Sequence, residues 1–281
     1  SIARVQGTQL KKVVMLFSKL KLNTSEAVLS IRQGSLGITA MYGGTGLKVT
    51  LPSDSIGKDD CELNLGSLKD ILSGVKGVIE IATNGAVIIN TDSGEIMLPY
   101  NPATLSIPNV KSEVASLDSK ELLKSLTKLL PLSATSENQR NLYGVLMEAQ
   151  DSGLRLVASD GFRLGYVDTP AVVTKSEAVM IPLYFAKLLQ GIVKLVPESE
   201  VSIRADKTAV KIQSEYFELV FPRPDFDFPD YKRILPSGFK AELEVNREEL
   251  LEAVNRSLGT DKVRLTREDG VINIEIGRAH V

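Results

Sequence analysis

The stretch Glu80-Ile-Ala-Thr-Asn-Gly-Ala-Val-Ile-Ile89 returns in altered form as Ser202-Ile-Arg-Ala-Asp-Lys-Thr-Ala-Val-Lys-Ile212, about 122 residues further on. A second echo links Leu117-Asp-Ser-Lys-Glu-Leu-Leu-Lys-Ser-Leu126 to Glu244-Val-Asn-Arg-Glu-Glu-Leu-Leu-Glu-Ala-Val254. Repetition at such a period restricts the fold more than any single motif does. It implies tandem related domains, each burying its own core and presenting an equivalent face. The expected division is 1–111, 112–236 and 237–281. The third unit is expected to be truncated, because one helix and two or three strands cannot close a core that takes two helices in the earlier units. The end, Ile276-Gly-Arg-Ala-His-Val281, matches what a common sequencing-adaptor oligonucleotide encodes in one frame and reads as artificial.

Each unit repeats one plan, a helix followed by antiparallel strands, which makes the class α+β. Residues 9–21 have helical spacing, with Leu10, Val13, Val14, Phe17 and Leu20 on one side. Lys11, Lys12, Lys19 and Lys21 occupy the rest, with no acid among them. Strand-like runs at 27–32, 36–41 and 47–51 are separated by Gly34 and Gly43-Gly44. Asp54, Asp59, Asp60 and Glu62 read as an acidic linker before a short helix at 68–75. Strands at 78–82, 86–90 and 95–98 follow, then a connector at 101–109. The second unit opens on a capping box, with Asp118 expected to accept from the third helical amide and Glu121 to reach back. Its helix carries Leu122, Leu123, Leu126, Leu129 and Leu130, and Pro131 stops it. Residues 154–167 read as a hairpin in which Asp160-Gly161 forms a two-residue type I′ turn. A second helix at 183–193 carries Lys187, and strands at 201–205, 209–213 and 217–221 close the set. Asn246 and Glu249 supply the third capping box.

Composition mostly excludes. With 43% hydrophobic and 24% charged residues over 281 positions, the chain is globular and of about two-domain length. Its longest apolar run, 13–17, falls far short of the roughly 18 residues of a membrane span. No signal peptide is visible, although the first residue is Ser and not Met. The single cysteine, Cys61, excludes an internal disulfide and fits a reducing cytoplasm. The one histidine, His280, lies in the suspect end, so no Ser-His or Cys-His pair and no His/Cys zinc site can be assembled before it. Gly43-Gly-Thr-Gly-Leu-Lys48 lacks the Gly-Lys-Ser/Thr ending of a phosphate loop. Asp225, Asp227 and Asp230 could offer oxygens to Mg²⁺, yet their interleaved Pro and Phe fit a turn with solvated carboxylates. Neither a catalytic residue, a cofactor nor a metal is expected.

A net charge of −2 argues against general nucleic-acid binding, but it hides a distribution. Lys120, Lys124 and Lys128 lie four apart along one helical face. Helices at related positions of the repeat share this bias.

Three stretches, in this order and spacing, are similar to a known family: Leu142-Tyr-Gly-Val145, Ala158-Ser-Asp-Gly-Phe-Arg-Leu164 and Phe228-Pro-Asp-Tyr-Lys-Arg-Ile-Leu-Pro236. They resemble the bacterial DNA polymerase III β sliding clamps, chromosomal or phage-encoded. That family reads Ala-Thr-Asp-Gly-(His)-Arg-Leu in the hairpin and Phe-Pro-Asp-Tyr-x-x-x-x-Pro where its second domain meets its third. Ser159 stands here for the Thr and Phe162 for the His. The family's basic loop after the first helix is unmatched, Lys21-Leu-Asn-Thr24 standing in its place.

The resemblance implies the DNA clamp fold, with two helices packed on antiparallel sheets in each domain and the helices lining a ring. It makes Lys11, Lys12, Lys120, Lys124, Lys128 and Lys187 candidates for facing the phosphates of double-stranded DNA. It implies a partner-peptide groove at Leu142, Ser159, Gly161, Phe162, Arg163, Leu164, Pro229, Arg233 and Ile234, with an apolar floor and arginines at its rim. The implied function is a cytoplasmic, non-enzymatic processivity factor in DNA replication. It would encircle duplex DNA as a head-to-tail homodimer and tether the polymerase and clamp loader through short linear peptides. A monomeric clamp-like adaptor that binds peptides without encircling DNA stands as the alternative.

Overall fold

The computed structural model describes residues 1–256 and 262–277. Packing separates the chain into two compact units, Ser1–Pro229 and Asp230–Val281. The first unit begins with β1 (Ile2–Gln6), α1 (Gly7–Lys19), β2 (Glu26–Arg32), β3 (Ser35–Tyr42), β4 (Thr45–Pro52), β5 (Asp54–Ile56) and β6 (Asp59–Asn64). It continues through α2 (Leu65–Ile71), β7 (Val78–Thr83), β8 (Ala86–Thr91) and β9 (Gly94–Pro99). The same series then runs again. Its members are β10 (Glu113–Asp118), α3 (Ser119–Leu129), β11 (Gly144–Gln150), β12 (Gly153–Ser159), β13 (Leu164–Thr169), β14 (Val172–Val173) and β15 (Ala178–Pro182). α4 (Leu183–Leu195), β16 (Glu200–Ala205), β17 (Ala209–Gln213) and β18 (Phe217–Pro222) complete it.

Pairing repeats as faithfully as order does. β1 lies between β5 and β7, and β10 lies between β14 and β16. β3 and β6 flank β2 just as β12 and β15 flank β11. The two series meet edge to edge, β18 on β4, from Phe217↔Val49 to Val220↔Gly46. The result is one sheet in the order β14-β10-β16-β17-β18-β4-β3-β2-β6. β9 and β13, the counterparts of β18 and β4, each end a sheet.

Four helices pack in the order α2-α1-α4-α3. Leu10, Val13 and Phe17 of α1, Leu122 and Leu126 of α3, and Leu189 and Ile192 of α4 share one core with Ile81, Leu156 and Ile203 of the sheets. Each fully buried side chain of this kind contributes about 1.5–3 kcal/mol. Phe185 of α4 stacks on Phe221 of β18 with ring centroids 4.4 Å apart. No helix among the described residues is long and apolar enough to cross a membrane.

Several local expectations need correction. The acidic segment that read as a linker forms β5 and β6, with Cys61 and Leu63 buried and Glu62 between them exposed. The half-buried Asp59 accepts from the Tyr100 hydroxyl at 2.6 Å, and Asp60 pairs with Arg32 at 2.7 Å. Asp118 does cap α3, but it accepts from the second helical amide, Lys120 N, at 2.7 Å. The type I′ turn is absent. β12 and β13 pair last at Ser159↔Leu164, which leaves a four-residue loop. Gly161 has a positive φ of 91° whereas Asp160 does not, because the Asp160 side chain folds onto the loop amides.

In the second unit a 3-10 turn (Tyr231–Ile234) precedes α5 (Arg247–Arg256), β19 (Lys262–Glu268) and β20 (Val271–Gly277). Asn246 accepts from Glu248 N and Glu249 N at 2.9 and 3.1 Å, as a cap should. α5 buries no residue, and Leu251, Val254, Val263 and Leu265 are exposed. His280 and the rest of the suspected artificial end from 278 onward lie outside the described residues.

Candidate functional site

The β12–β13 loop is built by its own polar atoms. Asp160 Oδ1 accepts from Phe162 N and Arg163 N at 2.9 and 2.8 Å. Ser159 Oγ, on a buried residue, donates to Arg163 O at 2.8 Å and accepts from Gly161 N at 3.1 Å. The Arg163 guanidinium holds Asp160 Oδ2 at 3.0 Å and the Pro131 carbonyl at 3.2 Å. The two loop amides and this guanidinium stabilise the ionised carboxylate and bring the Asp160 pKa down to about 2. Gly161 sits over Leu142, where an added Cβ would lie 3.7 Å from Leu142 Cδ1.

The structure therefore brings Leu142, Ser159, Gly161, Arg163 and Leu164 together. Phe162 departs from the expected floor. It is 97% exposed at the loop tip, because the Asp160 turn aims it outward. Pro229 is exposed at the end of the first unit. In the second unit Arg233 pairs with Asp230 at 2.9 Å and Ile234 is 71% exposed.

Lys12, Lys120, Lys124, Lys128 and Lys187 are exposed on their helices, and Lys11 is half-buried. Lys120 meets Glu198 at 3.7 Å, but both side chains are about 70% exposed, so the pair contributes little. Among the described residues no carboxylate lies within ion-pair distance of the other five. This leaves the helical layer cationic on its solvent side. Among the described residues no cluster of three His, Cys, Asp or Glu could hold a metal ion.

No family model matches the chain. Curated relatives do. A beta sliding clamp of Pseudomonas aeruginosa is 26% identical over 204 residues, 67% of this chain and 54% of that protein. One from Vibrio cholerae is 28% identical over 212 residues, 70% of this chain and 56% of that protein. The chain thus spans little more than half the length of these relatives. Among solved structures, the DNA polymerase III β subunit of Thermotoga maritima superposes with a TM-score of 0.74, at 23% identity, over 99% of this chain and 84% of that one. The chain is similar in sequence to the β sliding clamps, and its fold is theirs. The Helicobacter pylori β clamp bound to a DNA ligase peptide gives a TM-score of 0.73 at 21% identity, over 95% of this chain and 79% of that one. The resemblance read from residues 142–145, 158–164 and 228–236 is borne out by these matches.

Around the β12–β13 loop, the clamp fold adds neighbours that sequence reasoning passed over. Leu132, in a 3-10 turn (Leu130–Leu132), lies against Gly165, where an added Cβ would come within 2.4 Å of its Cδ1. Gln139 Nε2 reaches the Asp160 carbonyl at 3.5 Å. The available signal was Gly165 itself, since a glycine inside a strand marks close approach of a neighbour.

Proposed function

We propose that the chain serves as a non-enzymatic sliding clamp in bacterial or phage DNA replication, working in the cytoplasm. It tethers a polymerase and other partners to double-stranded DNA and so confers processivity. The carrying observation is the β18–β4 pairing. Where one repeat follows another, the third strand of its β16-type sheet adds to the β4-type edge of its neighbour. β9 and β13 are the same two kinds of edge, and both end a sheet. Applied again, the rule joins further repeats to both ends and supports a head-to-tail homodimer closed by a heterologous interface. The repeated order of elements, opening at β1 and again at β10, supports repeats at 1–111 and 112–236, with 237–281 as part of a third.

Duplex phosphates would be met by the exposed lysines of α1, α3 and α4. Such contacts are independent of sequence and weaken steeply with salt. They need not be strong, since a closed ring is retained by topology. The surface formed by Leu142, Leu164 and the Asp160 loop would take an apolar anchor of a partner's linear peptide, as a DNA ligase peptide binds the Helicobacter pylori clamp. ATP would be spent by a loader that opens the ring, not by this chain.

The test is to read the encoding DNA beyond codon 275 and load the encoded protein, with loader and ATP, onto nicked circular plasmid. Retention on the circle, lost when the plasmid is linearised, is expected. A monomer that is never trapped would overturn the ring and leave a peptide-binding adaptor.

A further inference from the structure

α1 and α4 come from different repeats yet pack directly on each other. The Tyr184 hydroxyl donates to the Lys19 carbonyl, whereas Gly191 lies against Leu16, so the helices run antiparallel. An added Cβ at Gly191 would stand 3.0 Å from Leu16 Cδ2, which shows how closely they approach. Beside this contact a cleft of about 250 Å³ opens to solvent. One wall is a single face of α1, with Lys12, Met15, Leu16 and Lys19 at successive i, i+3, i+4 and i+7 positions. The other wall carries Lys194 and Leu195 of α4. No carboxylate lines it.

The chemistry is therefore cation, apolar floor, cation. Lys12 and Lys19 are separated by about 10 Å along the axis of α1, at a rise of about 1.5 Å per residue. Met15, midway between them, is 43% exposed. A stacked duplex presents phosphates outermost and keeps its base faces covered, so it gains nothing from an apolar floor. A single strand differs, because its unstacked bases have free π-faces between successive phosphates. A thioether is a soft, polarisable partner for such a ring.

We propose that this seam is a subsite for single-stranded DNA, with flanking phosphates on Lys12, Lys19 and Lys194 and one unstacked base on Met15. The clamp reading explains why DNA would pass this surface, but the subsite stands on the cleft alone.

The experiment compares a labelled oligothymidylate with a blunt duplex of equal length by fluorescence anisotropy at low salt. Met15→Ser removes the floor without changing charge, and its exposure leaves the core intact. It should weaken single-strand binding about fivefold, within the range of one lost sulfur–ring contact. Duplex binding should stay within about twofold, and Met15→Leu should restore the single strand. Lys194→Ala should weaken both. Unchanged single-strand affinity in Met15→Ser, or equal loss for both ligands, would overturn the subsite. Failure of the protein to be trapped on circular plasmid would instead remove the ring and leave this result standing.

Discussion

Lys211 is the one lysine buried in the described core, its side chain 4% exposed, and it lies 2.6 Å from Glu218 on β18. Glu218 also faces Lys48 of β4 at 3.8 Å, directly across the join between the two repeats. Ile107 and Val110 of the connector cover Val220 and Ala209 on neighbouring positions of the same strands. Glu218→Gln keeps the shape but leaves an ammonium buried beside a neutral amide. Breaking such a pair from one side costs about 3–5 kcal/mol. Glu218 is 26% exposed, so water relieves part of this, and about 3 kcal/mol is expected. For a unit of this size each kcal/mol shifts the melting temperature by about 2–4 °C, which gives a fall of roughly 6–12 °C. Lys211→Met should behave differently. It removes the buried charge and keeps an unbranched apolar chain, and the Glu218 carboxylate left behind is 26% exposed with Lys48 still 3.8 Å away, so a change within about 1 kcal/mol is expected. Thermal unfolding followed by circular dichroism reads both variants. If Glu218→Gln melts within about 2 °C of the parent, or Lys211→Met falls as far, desolvation is not what makes this pair matter.

Three further outcomes follow from local geometry. The folded pKa of Asp160, about 2, lies below its ordinary 3.8, so its contribution to the loop is complete above pH 3.8. That contribution is lost as pH falls toward 2, and a carboxyl titration by NMR centred near 3.8 would contradict the two loop-amide hydrogen bonds. Burial, with Asp59 and Asp60 adding repulsion, pushes the Cys61 thiol up to about 11. Native protein should therefore resist an aromatic disulfide reagent at pH 8 and react at once in denaturant, while fast native reaction would show that the thiol is exposed. Leu142→Ala combined with Leu164→Ala should weaken a polymerase-derived peptide by about 2 kcal/mol or more in calorimetry, and unchanged affinity in the folded variant would remove that surface as an anchor site.

Much of the fold was legible because periodicity reports burial. The α1 face with Leu10, Val13, Val14 and Phe17, and the strands 209–213 and 217–221, follow from spacing alone. β6 was missed because the acids around Cys61 and Leu63 mask a period of two over so short a run. β1 and β10 were missed too, each being a five- or six-residue strand fused directly to the helix after it. The hairpin loop was misread because Asp-Gly suits a type I′ turn, whereas Asp160 satisfies two amides in a longer one. Residues 142 and 158–164 of the candidate groove could be named from motif. Their contact with Leu132 and Pro131 could not, since those come from a 3-10 turn with no periodic signal.

By itself the sequence determined that one module is used repeatedly, which side of each helix is apolar, and where lysines collect, because these are properties of local spacing. Tertiary structure alone decided that β18 joins β4, that α1 meets α4 across two repeats, and that a buried lysine lies near the join. Each joins residues more than 150 positions apart or rests on such a join, and edge pairing depends on backbone groups that every sequence shares. Only a folded chain shows which edges are spent and which remain to be used.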